Sequence, residues 1–409
     1  MGSSIFAPAI PDFAHDRQTT DVVAALGISL FVWGYGLGPL LLSPITEVSF
    51  IGRNDSVAGF LVLRFLAGFV GSPVLATGGA TIGDIWGYGG GFANALGCWG
   101  YSAAAGPVVG PLVGGFAVDA KGWRWSIWPL FWASAAVWIF IFFLLPETSG
   151  ATILSRRAAR LRKVTGNAQL LSEGDLHDRS IHPSELAFNT LVRPFELTLL
   201  EPVVLFNNLY IALVYGVLYC FFEAFPLVFE GRHHFNGAQT GLAYIGILIG
   251  GALTLGGYCV FNNKFVTPKY AEGTWKPEYR MLPVMLGGIA LPVCMFWFGW
   301  TSFESIHWIS PVLASSLFAL SIYLLFQGIL NYLAENYPRY MASVFASNDV
   351  MRAGVGGAFP LFSTAMFNKL TIQGGCSLLG GIGLLMLPLP FVLYYYGPRL
   401  RAASKRASA

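Results

Sequence analysis

The chain has 409 residues, of which 55% are apolar and only 11% charged, with a mean hydropathy of +0.60. Soluble domains carry about a quarter charged residues, so this composition excludes an ordinary soluble fold and indicates an all-α polytopic membrane protein. A net charge of +3 is too small to point to nucleic acid.

In chain order, residues 1–10 lack a basic leader followed by an apolar core, so no cleavable signal peptide is expected. Apolar runs near the ~20 residues a bilayer requires fall at 21–43, 56–79, 93–117, 125–145, 201–223, 238–261, 281–301, 307–331, 341–367 and 373–396. These ten predicted helices define an incomplete N-terminal bundle over 1–148, a linker over 149–200, a six-helix bundle over 201–397 and a basic tail over 398–409. The linker holds Arg156, Arg157, Arg160, Arg162, Lys163, Arg179 and Arg193, the stretch 262–280 holds Lys264, Lys269, Lys276 and Arg280, and the tail holds Arg399, Arg401, Lys405 and Arg406. The positive-inside rule assigns all three to the cytoplasm. Cys98, Cys220, Cys259, Cys294 and Cys376 fall in or beside apolar runs without metal or disulfide spacing and read as packing thiols. His233 and His234 lack a third ligand in sequence, so neither a metal nor a cofactor is expected.

The segment Gly97 to Gly115 carries six glycines and two prolines and no charge. In water, glycine at roughly 1 kcal/mol and proline at about 3 kcal/mol would break such a helix. Lipid offers the backbone no alternative partner, so in a bilayer the helix persists and its glycines let a neighbour approach closely. The spacing Gly97-x8-Gly106-x3-Gly110-Pro111-x2-Gly114-Gly115 resembles the antiporter motif in the fifth helix of major facilitator drug:proton antiporters. Leu63 to Phe69, Ser72 to Gly79 running on to Asp84, Pro146-Glu147-Thr148, Arg193-Pro194-Phe195-Glu196 and Phe222 to Pro226 are similar to the fungal twelve-helix multidrug branch. The resemblance covers essentially the whole chain and implies the major facilitator fold, two helical bundles that rock about a central site.

Against that family, Ser3 to Pro11 resembles only the outer end of helix one. Gly38 to Glu47, followed by Gly52-Arg53, resembles the end of helix two and the gating loop after it, of which Glu47, Gly52 and Arg53 are remnants. The segment resembling helix four then follows at once, so helices one and three are expected to be missing. Two successive segments would then run in the same direction, which leaves segment 21–43 either inverted relative to the family or not spanning normally.

Intramembrane charges are the default functional candidates, because each costs about 2.5 to 3.5 kcal/mol at a helix centre. Arg64 matches the family's fourth-helix arginine, to which the resemblance assigns proton coupling or the holding of a carboxylate; the alternative is an arginine snorkelling to the outer interface. Glu223, against Pro226, reads as a proton acceptor, an outer gate or a plain helix-end carboxylate. Asp349 and Arg352, three apart, share a helix face and can pair. Asn207, Asn208, Tyr210, Tyr215 and Tyr219 on one segment, and Tyr323, Gln327 and Asn331 on another, are candidates to line a cavity, the four-residue spacings putting several on one face.

The residues and the resemblance together predict a proton-coupled exporter of small amphipathic drugs, toxins or secondary metabolites, working by alternating access in the plasma membrane. A truncated or degenerate paralogue with little activity is the alternative. No hydrolase elbow, zinc pair or phosphate-cradling loop occurs, which disfavours an enzyme.

Overall fold

A computed structural model describes residues 1–37, 56–71, 73–86, 92–180, 188–404 and 406–407. The gating-loop remnants Glu47, Gly52 and Arg53 lie outside the described residues. Those described form helices and their connections, with no strand among them. With no water at bilayer depth, a helix is the one local structure that satisfies its own backbone groups.

The N-terminal half comprises α1 (Ile10–Asp16), α2 (Asp21–Leu37), α3 (Val57–Gly71), α4 (Pro73–Trp86), α5 (Phe92–Lys121) and α6 (Trp128–Leu144). The expected segment 56–79 thus extends to Trp86 as two helices meeting near Pro73. Helix α5 runs unbroken through Pro107 and Pro111. Helix α6 has no buried residue, with Trp138 and Phe143 among its exposed rings.

Helices α2 and α3 pack side by side and run parallel: Gly27 meets Phe60 and Arg64, the Phe31 backbone meets Gly68, and Gly34 meets Phe65 and Phe69. Of the two alternatives for segment 21–43, inversion relative to the family, which would set α2 antiparallel to α3, is therefore not the one adopted.

Between the halves lie α7 (Gly150–Thr165), α8 (Glu173–Ser180) and α9 (Arg193–Leu200). Helix α9 buries Pro194, Leu197 and Thr198 and packs against the next helices. That bundle contains α10 (Pro202–Phe225), α11 (Gly237–Ala243), α12 (Ile245–Phe261), α13 (Thr267–Ala271), α14 (Met281–Thr301), α15 (Ile309–Asn336), α16 (Met341–Met386) and α17 (Pro388–Ala403). Helix α16 breaks at Thr371, whose φ of 64° and ψ of 167° no helix accommodates, and so supplies the separate segments expected at 341–367 and 373–396. Among the described residues, seven stretches are long and apolar enough to cross a membrane, and Asp21–Tyr35 and Val57–Gly71 are shorter apolar helices.

An aromatic cluster organises each half. Phe13 packs on Phe60 and Trp123 at ring distances of 4.8 and 4.9 Å in the N-terminal half, and Phe225 stacks on Tyr244 at 4.1 Å in the C-terminal half. Two seams join the halves: α5 against α11, α12 and α15, and α2 against α16.

The α5 seam is close because its glycines lack Cβ. A methyl on Gly110 would fall on the Ser4 hydroxyl, on Gly114 on the Ile5 carbonyl, and on Gly115 on the Gly237 carbonyl. Gly256 on α12, by contrast, has nothing within 4 Å of such a methyl. Gly114→Val is expected to destabilise the protein by about 1 to 3 kcal/mol, read as a lowered melting temperature in detergent, while Gly256→Val leaves the transition nearly unchanged.

Candidate functional site

The site is built around the two seams. On α5, the Tyr101 hydroxyl donates to the Leu248 carbonyl at 3.0 Å, and Tyr323 on α15 donates to the Gly97 carbonyl at 3.1 Å. The Gln327 amide donates to the Leu96 carbonyl at 3.4 Å and lies against Gly100. Asn331 donates to the Gln327 carbonyl at 2.6 Å. The α15 ladder expected to line a cavity therefore grips the antiporter helix from the other half. At the two ends of the seam, Asn94 donates to Asn263 at 2.8 Å, and the Asp119 carboxylate accepts from the Ala238 backbone N–H at 2.8 Å. The seam is latched at both ends of α5. Between them a small, partly open crevice is lined by Tyr101, Ala104, Val108, Ile247, Ala319 and Tyr323.

The motif glycines divide by partner. Gly106, Gly110 and Gly114 face Met1 to Ile5 of their own half, where the Ser4 hydroxyl donates to the Pro107 carbonyl. Gly97 and Gly115 face the other half.

At the second seam the Trp33 indole donates to the Gly354 carbonyl at 3.3 Å, and a methyl on Gly357 would strike that indole. One turn away Arg352 donates to Asp349 at 2.5 Å, with its guanidinium 4.8 Å from the Tyr215 ring and 5.2 Å from Phe326. Ion pair and aromatic faces together compensate the loss of water. Tyr215 and Tyr219 pack edge to face at 5.2 Å, and the buried Tyr219 hydroxyl has no hydrogen-bond partner among the described residues.

Arg64 is 1% exposed, which rules out the snorkelling alternative. Its Nε donates to the Gly27 carbonyl at 2.9 Å and a terminal nitrogen to the Gly2 carbonyl at 3.0 Å, while the Phe31 and Phe6 rings lie 5.0 and 5.5 Å away. Among the described residues it meets no carboxylate, and its other terminal nitrogen is without a partner. Glu223 accepts from Thr364 at 3.0 Å through one carboxylate oxygen, and the other is buried and unpartnered. Asn208 does not line a cavity: it is buried between α10 and α16, donating to Ser347 at 2.9 Å and accepting from Asn348 at 3.0 Å.

Trp33, Asn94, Asp119 and Asn263 were not singled out from the sequence. Gly354, Gly356 and Gly357, close to Arg352, carried the same small-residue signal as α5 and could have located the second seam. The polar latches leave no such pattern.

Two helical bundles meeting along glycine seams, with charges and phenols buried between them, define a polytopic membrane carrier. The chain belongs to the Major Facilitator Superfamily, whose family model matches residues 48–360. It is 40% identical to the multidrug transporter FLR2 of Candida glabrata over 430 aligned positions, covering 99% of this chain and 72% of that protein. Identity is 40% to the transporter mfs1 of Schizosaccharomyces pombe, covering 100% and 82%, and 41% to fluconazole resistance protein 1 of Saccharomyces cerevisiae, covering 99% and 78%. The fold is that of the Escherichia coli xylose transporter XylE in a partially occluded inward-open conformation (TM-score 0.61, 12% identity, covering 97% of this chain and 95% of that one). The human organic anion transporter MFSD10 is similar at a TM-score of 0.55 and 16% identity, covering 94% and 89%. The chain is thus an integral, multi-pass membrane transporter for small molecules.

Removing one partner of a buried pair leaves the other charge uncompensated. Asp349→Ala is expected to cost about 3 to 5 kcal/mol, and the double variant Asp349→Ala with Arg352→Met much less; thermal denaturation in detergent compares them.

Proposed function

We propose that this chain exports small amphipathic molecules across the plasma membrane in exchange for protons, as a carrier and not an enzyme. The observation that carries the reading is the α5 seam, latched at both ends: Gly97 and Gly115 let the other half approach closely, through contacts that can be broken at either end without unfolding a helix. Asp119 on Ala238 would form the outer latch. Asn94 on Asn263, with Gln327 and Tyr323 on the start of α5, would form the inner one. Alternating access then requires one latch to open while the other holds. The names of the relatives, which refer to multidrug transport and fluconazole resistance, support amphipathic cargo.

Glu223 suits the coupling step. Its unpartnered oxygen can take a proton, and protonation removes a charge that would otherwise stay buried. Arg64, held by backbone carbonyls alone, is a fixed positive charge that favours an anionic or proton-releasing partner nearby. Tyr215 and Tyr219 supply aromatic faces for a cationic or planar cargo.

A second reading, a paralogue with reduced transport, is favoured by one observation: α2 and α3 run parallel although only residues 38–56 separate them in sequence. Vesicles carrying the protein decide between the two. Export predicts accumulation of an amphipathic dye under an imposed pH gradient, abolished by an uncoupler and by Glu223→Gln. No gradient-dependent movement by a well-folded protein supports the second reading.

The inner latch gives a separate expectation. Tyr323→Phe removes one hydrogen bond, worth about 1 kcal/mol, and should raise the inward-open population roughly fivefold, measured by spin-label distances across the inner ends of α5 and α12.

A further inference from the structure

Helix α7 lies outside the transport machinery, and its surface is hard to reconcile with water. Its sequence, GATILSRRAARLRKVT, contains no acidic residue. One face docks on α8: Ser155 donates to Asp175 at 2.6 Å, and Arg162 donates to the Leu170 carbonyl at 2.8 Å and sits 3.7 Å from Asp175. The Ser155 hydrogen bond first, then those from Ser172, hold the Asp175 carboxyl below the usual carboxylate range, so the docking survives mildly acidic conditions.

The opposite face is apolar and uncovered. Ile153, Leu154, Leu161 and Val164 are 43%, 54%, 44% and 84% exposed. At 100° per residue these four fall within roughly 100° of arc, a stripe as wide as one that faces a core. Arg157 lies within the stripe, and Arg156, Arg160 and Lys163 border it. Arg156 pairs with Glu147 at 3.1 Å, whereas Arg157, Arg160 and Lys163 have no ion-pair partner among the described residues. An ordinary solvated helix turns its apolar residues inward; this one turns them out, amid cations.

We propose that this face of α7 lies in the headgroup region of an anionic bilayer leaflet. Helix α6 ends at Leu144 and α7 begins at Gly150, so the tether between them spans at most about 20 Å and keeps α7 close to the membrane. An apolar stripe bordered by Lys and Arg is the pattern of an interfacial helix that binds acidic lipid. The positive-inside distribution directs it to the cytoplasmic leaflet, which carries the negative charge. The inference requires α6 to span the bilayer and is independent of whether the chain exports.

The test is hydrogen exchange of the full-length protein in vesicles of phosphatidylcholine alone and of an equal mixture with phosphatidylserine. Amides of 150–165 should exchange about tenfold or more slowly in the mixture. High salt, or the combined substitutions Arg157→Gln, Arg160→Gln and Lys163→Gln, should remove the difference. Those substitutions spare Ser155, Arg162 and Asp175, and unchanged exchange in α10 reports an intact fold. Equal exchange in the two lipids, slowing that survives the triple substitution or high salt, or slowing that appears only on addition of polyglutamate overturns the proposal.

Discussion

The arrangement depends on backbone approaching backbone along α5. Where Gly110 and Gly114 lack Cβ, residues 1–5 lie directly on the helix; where Gly97 and Gly115 lack it, the other half does. Such contacts gain little from expelling water, because lipid is as apolar as the side chains it would replace. What holds them is dispersion at short range and the hydrogen bonds that closeness permits, such as those from Tyr323 and Tyr101 to backbone carbonyls. Prolines within α5 are tolerated for the same reason, since the groups they free have packed neighbours.

Against this apolar frame the buried charges are handled in three ways. Asp349 and Arg352 neutralise each other beneath Tyr215 and Phe326. Among the described residues Arg64 meets no acid and is held by two carbonyls and two aromatic faces. Glu223 is half satisfied, by Thr364 alone. The first is a self-contained ion pair; the second and third each keep one polar atom without a hydrogen-bond partner among the described residues.

Ten apolar runs, the family and the α5 seam were legible in the chain, because length, hydropathy and glycine spacing are one-dimensional properties that a bilayer converts directly into helices and close packing. Less legible was what each polar residue faces. Asn208 and Gln327 look alike as apolar-segment amides, yet one is sealed between α10 and α16 and the other crosses between the halves. Helical periodicity reports which residues share a face, not which neighbour that face meets. The direction of α2 was undetermined for a related reason: its flanking charges, Arg17 and Arg53, balance, and only the pairing of Gly34 with Phe65 and of Phe31 with Gly68 makes it parallel to α3.

The sequence by itself determined solvent, secondary structure and ancestry, since each follows from composition and local spacing against a medium that cannot hydrogen-bond. Only the tertiary structure decided that the antiporter glycines serve two different partners, that Arg64 is buried with no carboxylate beside it among the described residues, and that Asp119 and Asn94 close the ends of the seam. Those facts rest on contacts between residues more than a hundred positions apart or on the absence of a partner, and neither leaves a trace in the order of the residues.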